Sequence, residues 1–171
     1  NLKTQTDFNG QTTSYIYNPL DQLTTKQFQD GSAWTFTYTP TGQQDIVTLL
    51  DTNQQVVDRY DYDYNERDWL IQRTDSLSGA TSRTVSYTYD VTGNKTSITT
   101  PSGTVNYTYD GRNRLDRVIQ NGITLADYDH NAVNNLTQTT FSNGTQEIRQ
   151  YDLLNRLTYL ENQKGNMVLS S

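Results

Sequence analysis

The chain has 171 residues, a formal net charge of -6, 13 Tyr, one His and no Cys. The acidic balance argues against a nucleic-acid-binding surface or attachment to an anionic membrane, because both need clustered Lys and Arg. The lack of Cys excludes disulfides and thiolate sites, and no apolar run approaches the roughly 20 residues of a membrane-spanning helix. Hydrophobic residues make up 32% of the chain, so the Tyr rings must supply much of its apolar contact.

A short motif recurs along the whole chain, and its clearest copy is Tyr107-Thr108-Tyr109-Asp110. We take the second aromatic position of each copy as a marker, which gives Tyr17, Tyr38, Tyr64, Tyr89, Tyr109, His130 and Tyr151. The steps between markers are 21, 26, 25, 20, 21 and 21 residues. Such a period is typical of repeat proteins, whose units cannot bury an apolar face alone. We therefore predict a single array of about seven units over residues 1–171, as a fragment of a longer protein.

The sequence pattern of each unit predicts two strands. Residues that lead into a marker alternate in type, so that Trp34, Phe36 and Tyr38 share one face of a strand while Thr35 and Thr37 share the other. This alternation is typical of half-buried strands. A second strand is predicted after each marker, over residues 23–28, 46–50, 70–74, 95–99, 115–119, 136–140 and 157–160. Helical spacing does not recur, so we predict no helix.

Polar turns separate these strands. Asn, Asp and Gly follow each marker, and they suit turns because they tolerate left-handed dihedral angles. Asn-Gly at residues 121–122 and 143–144 predicts tight hairpins, and the two long steps predict longer loops near residues 52–57 and 76–82. The predicted fold is all-β: repeated hairpins form a continuous antiparallel strip with the markers on one face. Unpaired edges of such a strip favour edge-to-edge self-association.

The motif resembles the YD repeat, also called the Rhs repeat, whose pattern is Tyr-x-Tyr-Asp-x-x-Gly-Arg/Asn-Leu. The departures are His130 for the second aromatic, Arg149 for the first, Thr39 for Asp, and Gln44 and Lys95 for Leu. The positions assigned to the repeat by this resemblance are Tyr15, Tyr17, Phe36, Tyr38, Tyr62, Tyr64, Tyr87, Tyr89, Tyr107, Tyr109, Tyr128, His130, Tyr151, Asp90, Asp110, Asp152, Leu23, Leu70, Leu115, Leu136 and Leu157.

The resemblance implies a structural role. In bacterial Rhs and wall-associated toxins, in Tc toxin B and C components and in teneurins, the repeats form a β-strip that spirals into a hollow shell. In the toxins this shell encloses a variable C-terminal toxic domain. The implied protein is a non-catalytic shell segment of a secreted or cell-surface bacterial toxin, without a cofactor, whose partners are the rest of the shell and the enclosed domain. The Asp-Pro-containing segment that cleaves itself in the toxins has no counterpart in this sequence.

Two residue patterns invite a metal-site interpretation. His130 is the single histidine, so any zinc site or Ser-His-Asp triad must use it. It occupies a marker position, which indicates a strand histidine that takes the place of the Tyr ring found in the other units. Asp61, Asp63 and Asn65 have the spacing that opens a calcium loop, but Glu66 stands where that loop needs Gly. Strand alternation explains this spacing, and we expect no metal.

The Asp and Tyr residues leave two alternatives open. Asp61, Asp63, Asp90, Asp110 and Asp152 could supply the carboxylate pair of a glycoside hydrolase, but they recur once per unit. We therefore interpret them as turn caps. The repeated Tyr rings beside amides and carboxylates support a second hypothesis, in which a cell-surface adhesion module stacks the rings on glycans.

Overall fold

A computed structural model describes residues 1–171 and contains sixteen β-strands and no helix. The strands are β1 (Thr4–Thr6), β2 (Thr12–Tyr17), β3 (Leu23–Gln27), β4 (Ala33–Tyr38), β5 (Gln44–Leu50), β6 (Val56–Tyr64), β7 (Leu70–Leu77), β8 (Arg83–Tyr89), β9 (Lys95–Thr100), β10 (Gly103–Tyr109), β11 (Leu115–Gln120), β12 (Ile123–His130), β13 (Leu136–Phe141), β14 (Thr145–Tyr151), β15 (Leu157–Lys164) and β16 (Met167–Ser170). They are hydrogen bonded in chain order within one sheet. The predicted all-β fold of repeated antiparallel hairpins is confirmed. The protein has no helix of the length and apolarity needed to span a membrane.

The chain divides into two compact units, Asn1–Ser86 and Tyr87–Ser171. Within each unit, strands contact only strands that are their neighbours in sequence, so no second layer from the same unit covers either face of its sheet. Ala33, Val47 and Ala126 are the buried hydrophobic residues, and the marker side chains are half-buried. Each unit is therefore stabilised mainly by contacts between adjacent strands.

Residue alternation gives the sheet of each unit two different faces. Register pairs Phe36 of β4 with Val47 of β5, and Val47 in turn with Tyr60 of β6. Because directly paired residues share a face, these apolar side chains lie together on what we call the aromatic face. In the second unit this face carries Tyr107 and Tyr109. Thr and Ser dominate the opposite face, where their hydroxyls bond across strands in the pairs Thr74–Thr84, Ser76–Ser82, Thr88–Ser97 and Thr99–Thr104.

Each marker is followed by a five-residue turn, which the Asp110 turn illustrates. The Asp110 amide donates to the Arg114 carbonyl at 2.9 Å. The Asp110 Oδ1 accepts from the amides of Arg112 at 2.8 Å and Arg114 at 3.1 Å. The same pair of amide bonds is accepted by Asn18, Asn65, Asp90, Asn131 and Asp152, while the Thr39 hydroxyl accepts one. The residue after each marker is therefore the cap of its turn.

The fourth residue of each of these turns has a positive φ, and the residues are Asp21, Gly42, Asp68, Gly93, Asn113, Asn134 and Asn155. Gly reaches this region without a steric penalty, and Asn and Asp tolerate it better than other residues. The turn geometry therefore explains why Gly, Asn or Asp occupies this place in every unit.

The marker and the Leu position close the turn as a cross-strand pair. Tyr109 pairs with Leu115, and the register shifts beside them, which marks a β-bulge. Equivalent pairs join Tyr17 to Leu23, Tyr38 to Gln44, Tyr64 to Leu70, His130 to Leu136 and Tyr151 to Leu157. The marker and the Leu position stand six positions apart in the motif because the five-residue turn lies between them.

The two long steps contain loops of five residues each, 51–55 and 78–82, no longer than the loop 28–32 of the ordinary first step. Relative to that step, the additional residues lengthen the strands, since β6 has nine residues and β7 has eight. Asp51 caps the 51–55 turn with the same pair of amide bonds as the marker turns. The outer strands are β1 and β16, and self-association through them stays a prediction.

Replacing Asp90 with Ala should lower the urea concentration at the midpoint of unfolding, because the amides of Thr92 and Asn94 lose their acceptor. Asp90→Asn is the matched control, since it keeps an oxygen acceptor and Asn caps other turns. Urea unfolding measures both variants at neutral pH. Equal losses in the two variants would contradict the capping role.

Asp90 should also make stability depend on pH. Hydrogen bonds from the side chains of Thr92 and Asn94 lower the pKa of Asp90 to about 2. Because this pKa lies below that of an unfolded carboxyl group, the stabilisation is present at neutral pH and is lost as the pH falls from about 4 to about 2. Urea unfolding across this range should show a smaller decline for Asp90→Asn than for the parent, and parallel profiles would refute the assignment.

Candidate functional site on the aromatic face

Four marker tyrosines each join their own hairpin to the preceding one. The Tyr38 hydroxyl donates to the main-chain carbonyl of Leu23 at 2.7 Å, and the Tyr64 hydroxyl donates to that of Gln44 at 2.8 Å. In the second unit, Tyr109 donates to the Lys95 carbonyl and Tyr151 to the Leu136 carbonyl, both at 2.9 Å. Each acceptor occupies the Leu position of the preceding repeat. We call this hydrogen bond the tyrosine clamp.

The clamp requires a protonated phenol. Partial burial raises the pKa of Tyr38, Tyr64 and Tyr109 above the ordinary value for tyrosine. The hydroxyl therefore remains a donor over the whole neutral range. The first aromatic position does not share this requirement, since Phe36 and Arg149 both occur there.

The aromatic face of the first unit contains an open groove of about 550 Å³. Trp34 and Tyr60 form its centre, with ring centroids 6.2 Å apart and ring planes inclined by 25°. Val47 pairs with Phe36 on one side and with Tyr60 on the other, and it is 7% exposed, so neighbouring rings shield it. Phe36 and Tyr62 extend the apolar lining along β4 and β6.

Two cations flank the groove. The Arg73 guanidinium lies 5.5 Å from the Tyr60 ring centroid and forms a two-point ion pair with Asp75, at 2.6 and 2.5 Å. This hydrogen bonding lowers the pKa of Asp75. The Lys26 ammonium lies 5.0 Å from the centroid of Phe28 and has no carboxylate within ion-pair distance. The groove thus combines flat apolar rings with one cation whose charge is not neutralised by a neighbouring acid.

The other predicted site residues are found in the turns and strands. Asp90, Asp110 and Asp152 cap turns, and Arg114 and Arg156 pair with the last two at 2.5 and 2.7 Å. Tyr15, Phe36, Tyr62, Tyr87, Tyr107 and Tyr128 each stand two residues before a marker in the same strand. His130 pairs with Leu136 at the closing position of its turn, as expected of a residue in a marker position.

The residues weighed as calcium ligands do not converge. Asp61 and Asp63 lie in β6, and Asn65 caps the following turn. Asp61 forms an ion pair with Arg59 at 2.5 Å. Asp61 and Asp63 are therefore strand residues and not turn caps, which corrects that part of the interpretation. No group of three or more His, Asp or Glu side chains is placed to hold a metal ion.

Neither the tyrosine clamp nor the Trp34–Tyr60 pair was predicted from the sequence. A signal for the clamp was present, because no marker is Phe even though Phe is used two residues earlier. The sequence contains no comparable signal for the Trp34–Tyr60 pair. The two rings meet across β5, and the alignment of β4, β5 and β6 that brings them together is not specified by the local pattern.

Tyr109→Phe should reduce the free energy of unfolding by about 1 kcal/mol, because the Lys95 carbonyl loses its donor. Tyr107→Phe is the matched control: it removes a hydroxyl from the same strand and face that takes no part in a clamp. Urea unfolding and amide exchange in β9 and β10 measure the difference. The clamp would be unimportant if both variants were equally stable.

Comparisons with known proteins agree with this geometry. Residues 64–105 match the family model described as RHS Repeat, and a comparison with curated proteins found no match. The chain is similar to the crystal structure of TcdB2-TccC3-Cdc42, at 19% identity and a TM-score of 0.54 over 95% of this chain and 11% of that one. It is also similar to TcdB2-TccC3 without its hypervariable C-terminal region, at 17% identity and a TM-score of 0.56 over 97% and 12%.

A third structure, TcdB2-TccC3, gives 18% identity and a TM-score of 0.54 over 97% of this chain and 12% of that one. The chain thus spans about an eighth or less of these solved chains, and the likeness establishes the fold. Residues 64–105 thus carry an RHS repeat, and the motif that recurs before and after this segment resembles it.

Proposed function

We propose that this chain is one segment of a shell wall in a secreted or cell-surface bacterial toxin, and that the wall encloses or displays a C-terminal toxic domain. The segment is a single repeat array within a longer protein. Its partners are the adjoining repeats and the domain inside, and its own residues perform no catalysis.

The observation that carries this proposal is the absence of a second layer in either unit. A globular domain buries its apolar residues between packed layers. Here the strands contact only their sequence neighbours, and three hydrophobic residues are buried. A single-layered sheet that is extended by adding hairpins is suited to form the wall between the inside and the outside of a shell.

The non-catalytic part of the proposal is supported by what the carboxylates do. Asp90, Asp110 and Asp152 accept hydrogen bonds within their turns, and these bonds lower their pKa values. Side-chain donors contribute most at Asp90 and Asp110, and a main-chain amide contributes most at Asp152. All three repeat one structural role, whereas a catalytic acid–base pair needs two carboxylates in different environments. The side chains that recur in the motif are thus accounted for by folding.

The toxin part of the proposal is supported by analogy of fold. One similar structure is TcdB2-TccC3 without its hypervariable C-terminal region. A wall of clamped hairpins around such a variable region would allow the enclosed sequence to change while the wall is kept.

Limited proteolysis of the native full-length polypeptide tests the shell. We expect a domain downstream of the repeats to resist protease in the intact protein and to be digested once the repeats are unfolded by denaturant. An image reconstruction of the same protein should show these repeats forming a wall around that domain. A downstream domain that is digested as fast as the same domain expressed alone would overturn encapsulation.

The groove around Trp34 and Tyr60 favours a second candidate function, carbohydrate binding at the cell surface. Aromatic rings and an unneutralised Lys26 would together suit a saccharide that carries a carboxylate, through ring stacking and charge-assisted hydrogen bonds. This function is compatible with a wall whose aromatic face is accessible.

Binding to an array of neutral and acidic glycans, followed by calorimetry on any hit, tests the second candidate. We expect saturable binding that is lost in Tyr62→Ala and weakened in Lys26→Ala, with an unchanged circular dichroism spectrum. Tyr107→Ala, outside the groove, is the control. Absence of binding to every glycan, or equal loss in the control, would reject this function.

A further inference from the structure

Neighbouring hairpins of the second unit are connected at two levels. One is the tyrosine clamp, as from Tyr151 to the Leu136 carbonyl. The other is a side-chain hydrogen bond between successive marker turns. Asn135 Nδ2 donates to Asn155 Oδ1 at 2.9 Å, and Asn94 Nδ2 donates to Asn113 Oδ1 at 3.1 Å. Both of these junctions therefore combine a clamp with an amide–amide link.

The junction between the turns at 110–114 and 131–135 lacks the clamp. Its marker is His130, and the carbonyl that corresponds to the other acceptors is that of Leu115. His130 forms the closing pair with Leu136 but makes no hydrogen bond to the Leu115 carbonyl. The imidazole is shorter than a phenol and lacks the hydroxyl that extends the other markers.

Two arginines cross this same junction. Arg114 Nη1 donates to the Asn131 carbonyl at 2.9 Å and to Asn134 Oδ1 at 3.1 Å. Arg112 Nη1 donates to the Ala132 carbonyl at 2.6 Å. Three of the residues of the next turn are thus held by guanidinium groups, whereas the clamped junctions use neutral amides.

The ion pair with Asp110 fixes the direction of Arg114. Arg114 Nη2 and Nε lie 2.5 and 2.6 Å from Asp110 Oδ2, and the Arg114 side chain is 21% exposed. The carboxylate therefore caps its own turn with one oxygen and holds the guanidinium with the other. Arg156 forms the same ion pair with Asp152 within its own turn.

We infer that Arg112 and Arg114 replace the missing tyrosine clamp and act as a latch at the seam between β11 and β12. The hydrogen bonds of the latch are charge-assisted, and such bonds are stronger than neutral ones. Without the latch, these hairpins are joined by the strand ladder, the Val118–Ala126 pair and the ion pair between Arg117 and Asp127. Loss of the latch therefore makes local opening at this seam easier, because fewer contacts must be broken.

Amide hydrogen exchange of the whole 171-residue protein tests the latch. In the Arg112→Ala, Arg114→Ala double variant, we expect exchange of the amides that join β11 to β12 to rise by at least about tenfold. The exchange of β9, which lies away from the seam, should change little. Arg156→Ala is the matched control, because it breaks the equivalent ion pair without breaking contacts between turns.

Adding His130→Tyr to the double variant provides the decisive comparison. A tyrosine at this marker can donate to the Leu115 carbonyl, so exchange at the seam should return towards the parental rate. In the parent background the same substitution should slow exchange by less, because the latch is already present. The inference fails if the double variant behaves like Arg156→Ala, or if His130→Tyr gives the same effect in both backgrounds.

Discussion

A hydrogen bond from a tyrosine hydroxyl to the main-chain carbonyl of the preceding hairpin is the interaction on which this sheet depends. Without a second layer, neither unit can rely on a shared apolar core to hold its strands together. A two-stranded hairpin is marginal in water by itself. The clamp at Tyr38, Tyr64, Tyr109 and Tyr151 ties four of the hairpins to the preceding one at the end of the strand, next to the capped turn. The ladder of main-chain bonds and the clamp together make the hairpin a unit that can be repeated.

This constraint explains the spacing of the motif. The marker supplies the clamp, the residue after it caps the turn, and the fourth turn residue adopts a left-handed conformation. The Leu position then pairs with the marker and offers its carbonyl to the next tyrosine. Four chemical requirements are thus met within seven residues, as in Tyr38 to Gln44. The intervening positions are free, which is why apolar residues such as Leu153 stand fully exposed in the turns.

Alternation and turn chemistry were sufficient to predict the strands, their antiparallel order and the polar caps, because these features are set by residues close in sequence. The role of the marker hydroxyl was not predicted, although the use of Tyr and His but never Phe at that position contained the information. The Trp34–Tyr60 pair depends on how far β4, β5 and β6 slide past one another. The arginine contacts at residues 131, 132 and 134 depend on how closely two turns approach. Such distances are properties of the assembled sheet and are not encoded in any single repeat.

The chain order of the strands also has a mechanical consequence. Because β1 to β16 are hydrogen bonded in sequence, a force applied to one end of the chain acts on one ladder at a time, across the direction of its strands. Bonds loaded in this way break in succession, whereas bonds loaded along the strands must break together. Such a protein yields to a pulling motor or a narrow pore by peeling, hairpin after hairpin. The force needed at each moment is the force that breaks one strand ladder, whatever the length of the array.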